Sequence, residues 1–230
     1  MDHAVALVEA YLQINGYFTV AEYPVIVATA RNKTSRDQTA RDKTARDKTS
    51  RDQFKIATDL DILAFFFPGA GRIITRKKTT HSIFAPDPVL GVSGADADMI
   101  IGEVKEGKAE LNNNAKKPNV LRIVLARFGC CPLEHVDVIV EQLIHKGKAS
   151  SHDNHRIRLM AFGSFAENRH EKYSVITLGH ITQFIENYLD EHWDVLRHAQ
   201  IKHPALGLFM VLKKARQGLA LQQSDTGGLH

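Results

Sequence analysis

Three side chains with the makings of a reactive centre stand in two otherwise apolar stretches: Asp61 in "TDLDILAF", and Glu103 with Lys105 in "DMIIGEVKEGK". Both stretches read as strands, in which side chains alternate between faces, so Glu103 and Lys105 project the same way with Val104 opposite. On the other strand Asp59 and Asp61 share a face with Leu63 and Phe65, while Leu60, Ile62 and Ala64 take the other. A carboxylate set in such a strand is costly unless it is paired or metal-bound. If Asp61 and Glu103 converge, they form a hard oxygen site suited to Mg²⁺ or Mn²⁺, whose oxygen ligands sit at about 2.0–2.1 Å for magnesium and leave room for waters. Lys105 beside them would orient an attacking water and balance negative charge developing at phosphorus. The plainer alternative makes Glu103 and Lys105 an ion pair at a strand end, which stabilises little, and Asp61 a carboxylate near a sheet edge.

The elements that must hold these residues follow from periodicity. Asp2 to Asn15 predicts a helix with Val5, Val8 and Leu12 on one side, stopped by Asn15-Gly16. Tyr17 to Ala30 is rich in β-formers and reads as a first strand, bent at Pro24. Phe54 to Phe67 is the second strand, turned by Pro68-Gly-Ala-Gly71, and Asp98 to Lys105 is the third. Arg72 to Ser93 between them suits a short ribbon and loop. Helices are expected near Pro118 to Phe128 and Leu133 to His145, then strands at Ile157 to Phe162 and Ser174 to Leu178. A helix from Ile181 to about Trp193 and a last one from Pro204 to about Ala215 complete a mixed central sheet flanked by helices, an α/β fold.

In that order of elements the residues resemble the PD-(D/E)xK nuclease superfamily, the restriction-endonuclease-like and Holliday-junction-resolvase-like proteins. Asp61 in "LDILA" matches the acid of the family's second core strand, and "EVK" matches the Glu-x-Lys of the third. Glu9, on the first helix, matches the acid that many members contribute from that position. Leu60 stands where the motif name has proline, and Glu106-Gly107-Lys108 is a second motif copy, set aside because Gly107 suggests a turn. The resemblance, over roughly Asp2 to Leu189, implies a restriction-endonuclease-like αβββαβα core and metal-dependent hydrolysis of phosphodiester bonds. DNA is the more expected substrate than RNA. Asp61 and Glu103 are then metal ligands for Mg²⁺ or Mn²⁺, Lys105 is the catalytic cation, and Glu9 assists. A homodimer is a further expectation by the same resemblance.

Charge and composition bound the rest. Residues 31–53 are a pentapeptide repeat of the form Arg-Asp-Lys/Gln-Thr-Ala/Ser that holds eight of the 30 basic and four of the 26 acidic residues, which leaves the remainder balanced. A period of five builds no apolar stripe, so this segment reads as an insertion: a basic surface arm or a phosphate-contacting one. Residues 1–216 form one nuclease-like domain around it, and 217–230 read as a flexible tail. Arg72, Arg76, Lys77 and Lys78 are a basic cluster suited to positioning a nucleic-acid backbone. Glu110 and Asn112, just past the third strand, either line the cleft or open a helix. Asp96 and Asp98 read as loop acids. Cys130 and Cys131 are adjacent and read as reduced core residues, and the twelve histidines lack metal-site spacing. An acidic start and the lack of a long apolar run predict a cytoplasmic protein with no membrane partner. The rival reading to a nuclease is a nuclease-like module that binds nucleic acid or a protein without cutting.

Overall fold

The computed structural model describes residues 2–28, 54–70, 72–76, 79–84, 86–151, 154–167 and 172–226. The repeat Arg31–Gln53 and the pair Lys77 and Lys78 lie outside the described residues. Helix α1 (His3–Ile14) starts where the Asp2 side chain accepts from the Ala4 N–H at 2.8 Å, an N-cap bond. Val5, Val8, Tyr11, Leu12 and Ile14 are buried along it; each large apolar side chain removed from water stabilises the fold by about 1.5–3 kcal/mol. Gly16, at φ 89°, reverses the chain into the sheet.

Strands β1 (Phe18–Ala28) and β2 (Phe54–Phe66) pair antiparallel. The ladder shifts register at Val25/Ile26, next to Pro24, where a bend is expected. A separate two-stranded ribbon follows, β3 (Arg72–Arg76) with β4 (Thr79–Phe84). Strand β5 (Asp98–Lys108) returns antiparallel to β2, so β1, β2 and β5 form a meander. Helices α2 (Pro118–Phe128) and α3 (Val136–Lys146) then cross over. Strand β6 (Lys148–Ser150) is a short antiparallel addition, β7 (Arg156–Phe165) lies parallel to β5, and β8 (Ser174–Thr177) lies parallel to β7. Helices α4 (Leu178–Glu191), α5 (Trp193–Leu196) and α6 (Pro204–Thr226) close the chain.

The sheet is thus mixed and packed between two helical layers. On one face Ile62, Ala64, Phe66, Ile100, Val104, Met160 and Phe162 meet α1, α4 and α6. On the other, Leu63, Met99, Ile101, Leu159 and Ala161 meet α2 and α3. Strands β5 and β7 are covered on both sides, which is why their sequences run apolar without alternation. Leu60 departs from the expected alternation and packs with Leu63 in the second cluster. The hairpin is kinked there: Glu22, level with Asp61 between the pairs Ala21–Ile62 and Tyr23–Leu60, takes φ 53°.

Two boundaries differ from the sequence reading. Strand β5 continues through Glu106-Gly107-Lys108, with a register shift between Lys105 and Lys108 absorbing Gly107 in place of a turn. Helix α6 runs to Thr226, well past Ala215, through much of the segment expected to be a flexible tail. Cys130 and Cys131 are buried free thiols, as expected, and burial pushes both thiols up, Cys130 to about 12. Among the described residues no helix is long and apolar enough to cross a membrane.

Candidate active site

The β2–β5 ladder stops at the pair Ile62–Gly102. Asp61 is the first β2 residue past it, and its Oδ2 accepts the Val104 N–H at 2.8 Å, a donor that the next rung of a continued ladder would have used. The strands therefore part at Asp61, and its carboxylate is fixed across the gap. Glu103 stands level with it on β5, held by close packing just before it: a Cβ on Gly102 would lie 2.5 Å from Ile62 Cγ2. Lys105 follows on the same face as Glu103. Its Nζ donates to Glu103 Oε2 at 3.2 Å and to Asp61 Oδ2 at 3.4 Å, so one ammonium touches both carboxylates.

The three groups differ sharply in exposure, with side chains 2 % exposed for Glu103, 25 % for Asp61 and 39 % for Lys105. Glu103 Oε1 is buried without a hydrogen-bond partner. Burial, reinforced by the Asp61 charge, pushes the Glu103 carboxyl up to about 7 against the pull of Lys105. For Lys105, burial works against the charge, but Glu103 and Asp61 outweigh it and hold the ammonium above its ordinary range. Two carboxylates, one with an orphaned buried oxygen, fit a hard divalent cation that takes few protein oxygens and keeps its waters. Among the described residues no third Asp, Glu, His or Cys joins them.

Beyond Lys105 the chain is bent over the sheet. A Cβ on Gly163, the β7 partner of Lys105, would strike the Ala109 backbone at 2.5 Å, so only glycine admits this crossing. Ala109 N–H donates to the Phe165 carbonyl at 2.9 Å, and Ser164 Oγ donates to the Glu106 carbonyl. Ala109, Leu111 and Ala115 then anchor the strand-to-helix segment in the core. What faces outward is an open cleft of about 440 Å³ with Lys105, Glu110, Asn112, Asn113, Lys116 and Tyr173 on its walls.

Of the residues singled out from the sequence, Asp61, Glu103 and Lys105 come together, and Glu110 and Asn112 line the adjoining cleft. Glu9 does not join them. Its Oε1 accepts from Thr19 Oγ1 at 3.0 Å and its Oε2 lies 3.4 Å from His203 Nε2, because this side of α1 is turned toward β1 and the start of α6. Arg72 and Arg76 fall on the separate ribbon, which leaves the sheet at the Phe66–Asp98 end, away from Lys105. Asp98 is no loop acid: it opens β5, fully buried, and Arg158 grips it through Nε at 3.0 Å and Nη2 at 2.7 Å. Lys116, Asn113 and Tyr173 were not foreseen. The tripeptide Asn112-Asn113-Asn114 and the lysines before Pro118 were the available signal, but which of them face the cleft depends on the Gly163 crossing.

No protein-family model matches this chain, and neither the curated proteins nor the solved structures contain a significant match to it.

Proposed function

We propose that this chain is a metal-dependent nuclease with a restriction-endonuclease-like core, acting on DNA in preference to RNA. The observation that carries the reading is the convergence of Asp61, Glu103 and Lys105 where β2 and β5 part. Support also comes from the element order, a helix, an antiparallel meander, crossover helices and a parallel strand, which is the order the PD-(D/E)xK resemblance implies.

Asp61 and Glu103 are the residues that would hold Mg²⁺ or Mn²⁺. Such an ion supplies Lewis-acid polarisation of a phosphoryl oxygen and a more acidic water. The backbone bond from Val104 keeps Asp61 aimed at that position before substrate arrives, which removes a reorganisation cost. Glu103 accepts the ion only as a carboxylate, so it must lose the proton that burial favours. Lys105 is half exposed and flanks both acids, where its ammonium stabilises charge building on the phosphorus centre and orients the incoming water.

Purified protein should nick or degrade DNA in Mg²⁺ or Mn²⁺, with RNA digested in parallel to rank the two polymers. Lys105→Ala is expected to lower the cleavage rate by roughly 100- to 1,000-fold, the usual effect of removing one charge-stabilising donor, at an unchanged melting temperature. Undiminished cleavage by that variant would remove Lys105 from the chemistry and the reading with it. The rival, a non-cutting module that binds nucleic acid or protein, draws on the sparse ligand set, two carboxylates with no third acid or imidazole among the described residues. Binding of DNA without any metal-dependent cleavage would favour it.

A further inference from the structure

From the walls of the cleft beside Lys105 we infer that it seats one unpaired nucleotide, so that this chain engages single-stranded polynucleotide in preference to duplex. The inference rests on the nucleic-acid reading above. Lys105 belongs both to the cleft wall and to the group with Asp61 and Glu103, so a strand whose phosphate is held there has the cleft within reach of its neighbouring nucleotide. At about 440 Å³ it falls within the range of pockets for small organic ligands, about 300–1,000 Å³. That room suits one nucleotide and not the breadth of a double helix.

Its walls carry what a single strand needs. Lys116 forms no ion pair among the described residues and lines the cleft together with Lys105, a second contact for a backbone phosphate. Tyr173, packed in part against the second core cluster, brings an aromatic ring to the cleft wall, and aromatic rings are the sequence-tolerant platform on which unpaired bases stack. Asn112 and Asn113 carry amides able to meet a base edge with both a donor and an acceptor. The Asn112 side-chain Oδ1 already accepts the Asn114 N–H at 2.9 Å, which fixes the side chain and leaves its NH₂ for the ligand. Glu110, the one acid on the wall, lies 3.7 Å from the Lys108 ammonium, which offsets its repulsion of phosphate. A duplex, by contrast, calls for a broad positive face, and outside residues 31–53 the chain's basic and acidic residues balance.

The test is anisotropy titration of the full chain, without divalent metal, against one labelled oligonucleotide as single-stranded DNA, single-stranded RNA and DNA duplex. Single strands should bind at least 10-fold more tightly than the duplex. Lys116→Glu and Tyr173→Leu should each weaken single-strand binding by about 5- to 100-fold, and Tyr173→Phe should restore it. Asn112→Asp keeps the bond to Asn114 and adds a charge in the cleft, so it should weaken binding at an unchanged melting temperature. Duplex binding as tight as single-strand binding, or parent-like affinity in Asn112→Asp and Lys116→Glu, overturns the inference. None of these variants touches Asp61, Glu103 or Lys105. Metal-dependent cleavage with unaltered binding in the variants would therefore sink the pocket and leave the nuclease standing. Variant-sensitive binding with no cleavage would do the reverse.

Discussion

Asp98 opens β5 and Glu103 stands at its middle, each 1 % exposed, and their surroundings could hardly differ more. Arg158 grips Asp98 with two bonds, Arg156 Nε adds a third at 2.5 Å, and Tyr17 donates a fourth at 2.6 Å. Both arginines continue into the backbone, Arg158 to the Leu90 carbonyl at 3.0 Å and Arg156 to the Gly91 carbonyl at 2.6 Å. That cluster staples the 86–97 segment onto the sheet. Glu103 has one partially exposed lysine, a neighbouring acid of like charge and an oxygen with no partner. A buried acid with every lone pair answered is structural, whereas one left short of partners stores unfavourable free energy that a proton or a further cation relieves.

The contrast yields its largest expected effect at Arg158. Arg158→Met strands Asp98 as a buried carboxylate stripped of its bidentate partner and should destabilise the chain by about 3–5 kcal/mol in urea unfolding. Lys105→Met removes a cation that is 39 % exposed and should shift stability by no more than about 1 kcal/mol. Equal losses in the two variants would mean that the two acids of β5 are held alike.

Glu103 sharpens the comparison through pH. Its folded-state pKa, about 7, lies above the ordinary 4.5, so folding favours the protonated form. Its contribution to stability is fully present below the ordinary carboxylate range and is lost as pH rises through about 7, by up to about 3 kcal/mol at 1.36 kcal/mol per unit. Glu103→Gln should flatten that decline and exceed the parent in stability at pH 8. Added Mg²⁺ or Mn²⁺ should raise the parent's melting temperature more at pH 8 than at pH 6, because binding needs the carboxylate, and should leave Glu103→Gln unmoved. A parent whose stability climbs between pH 5 and 8 would contradict the strained state of this acid.

Periodicity made the core legible. Apolar spacing located α1, α2, α4 and the four main strands of the sheet, since each buries a face that its own residues declare. The acids of the candidate site, Asp61 and Glu103, were legible for the opposite reason, as charges interrupting apolar strands. The same reasoning misplaced Asp98, because an acid next to a turn-rich segment looks solvated until Arg156 and Arg158 arrive from a strand distant in sequence. Glu9 was assigned by analogy of position, and which face of a helix meets which neighbour depends on tertiary packing. The walls of the cleft follow from a backbone crossing at Gly163, and a lone glycine in a strand does not announce what passes over it.

Asp87 provides the smallest test and an opposite pH slope. It belongs to the stapled end: its Oδ2 accepts from Tyr11 at 2.8 Å and lies 2.6 Å from His180 Nε2, and its Oδ1 accepts the Val89 N–H at 3.0 Å. Burial pushes its carboxyl up, but the bonds from His180, Val89 and Tyr11 together outweigh it, and the folded-state pKa is lowered. A depressed pKa stabilises the fold above the ordinary carboxylate range, and that contribution is lost as pH falls through the folded-state value. Asp87→Asn can still accept from Val89 and should cost about 1 kcal/mol at pH 7, with the deficit closing as urea midpoints are followed down to pH 3. Glu103→Gln should diverge from the parent on the alkaline side, and Asp87→Asn should converge with it on the acid side. If both variants instead changed stability in the same pH window and with the same sign, the contrast between the satisfied start of β5 and the unsatisfied acid at its middle would fail.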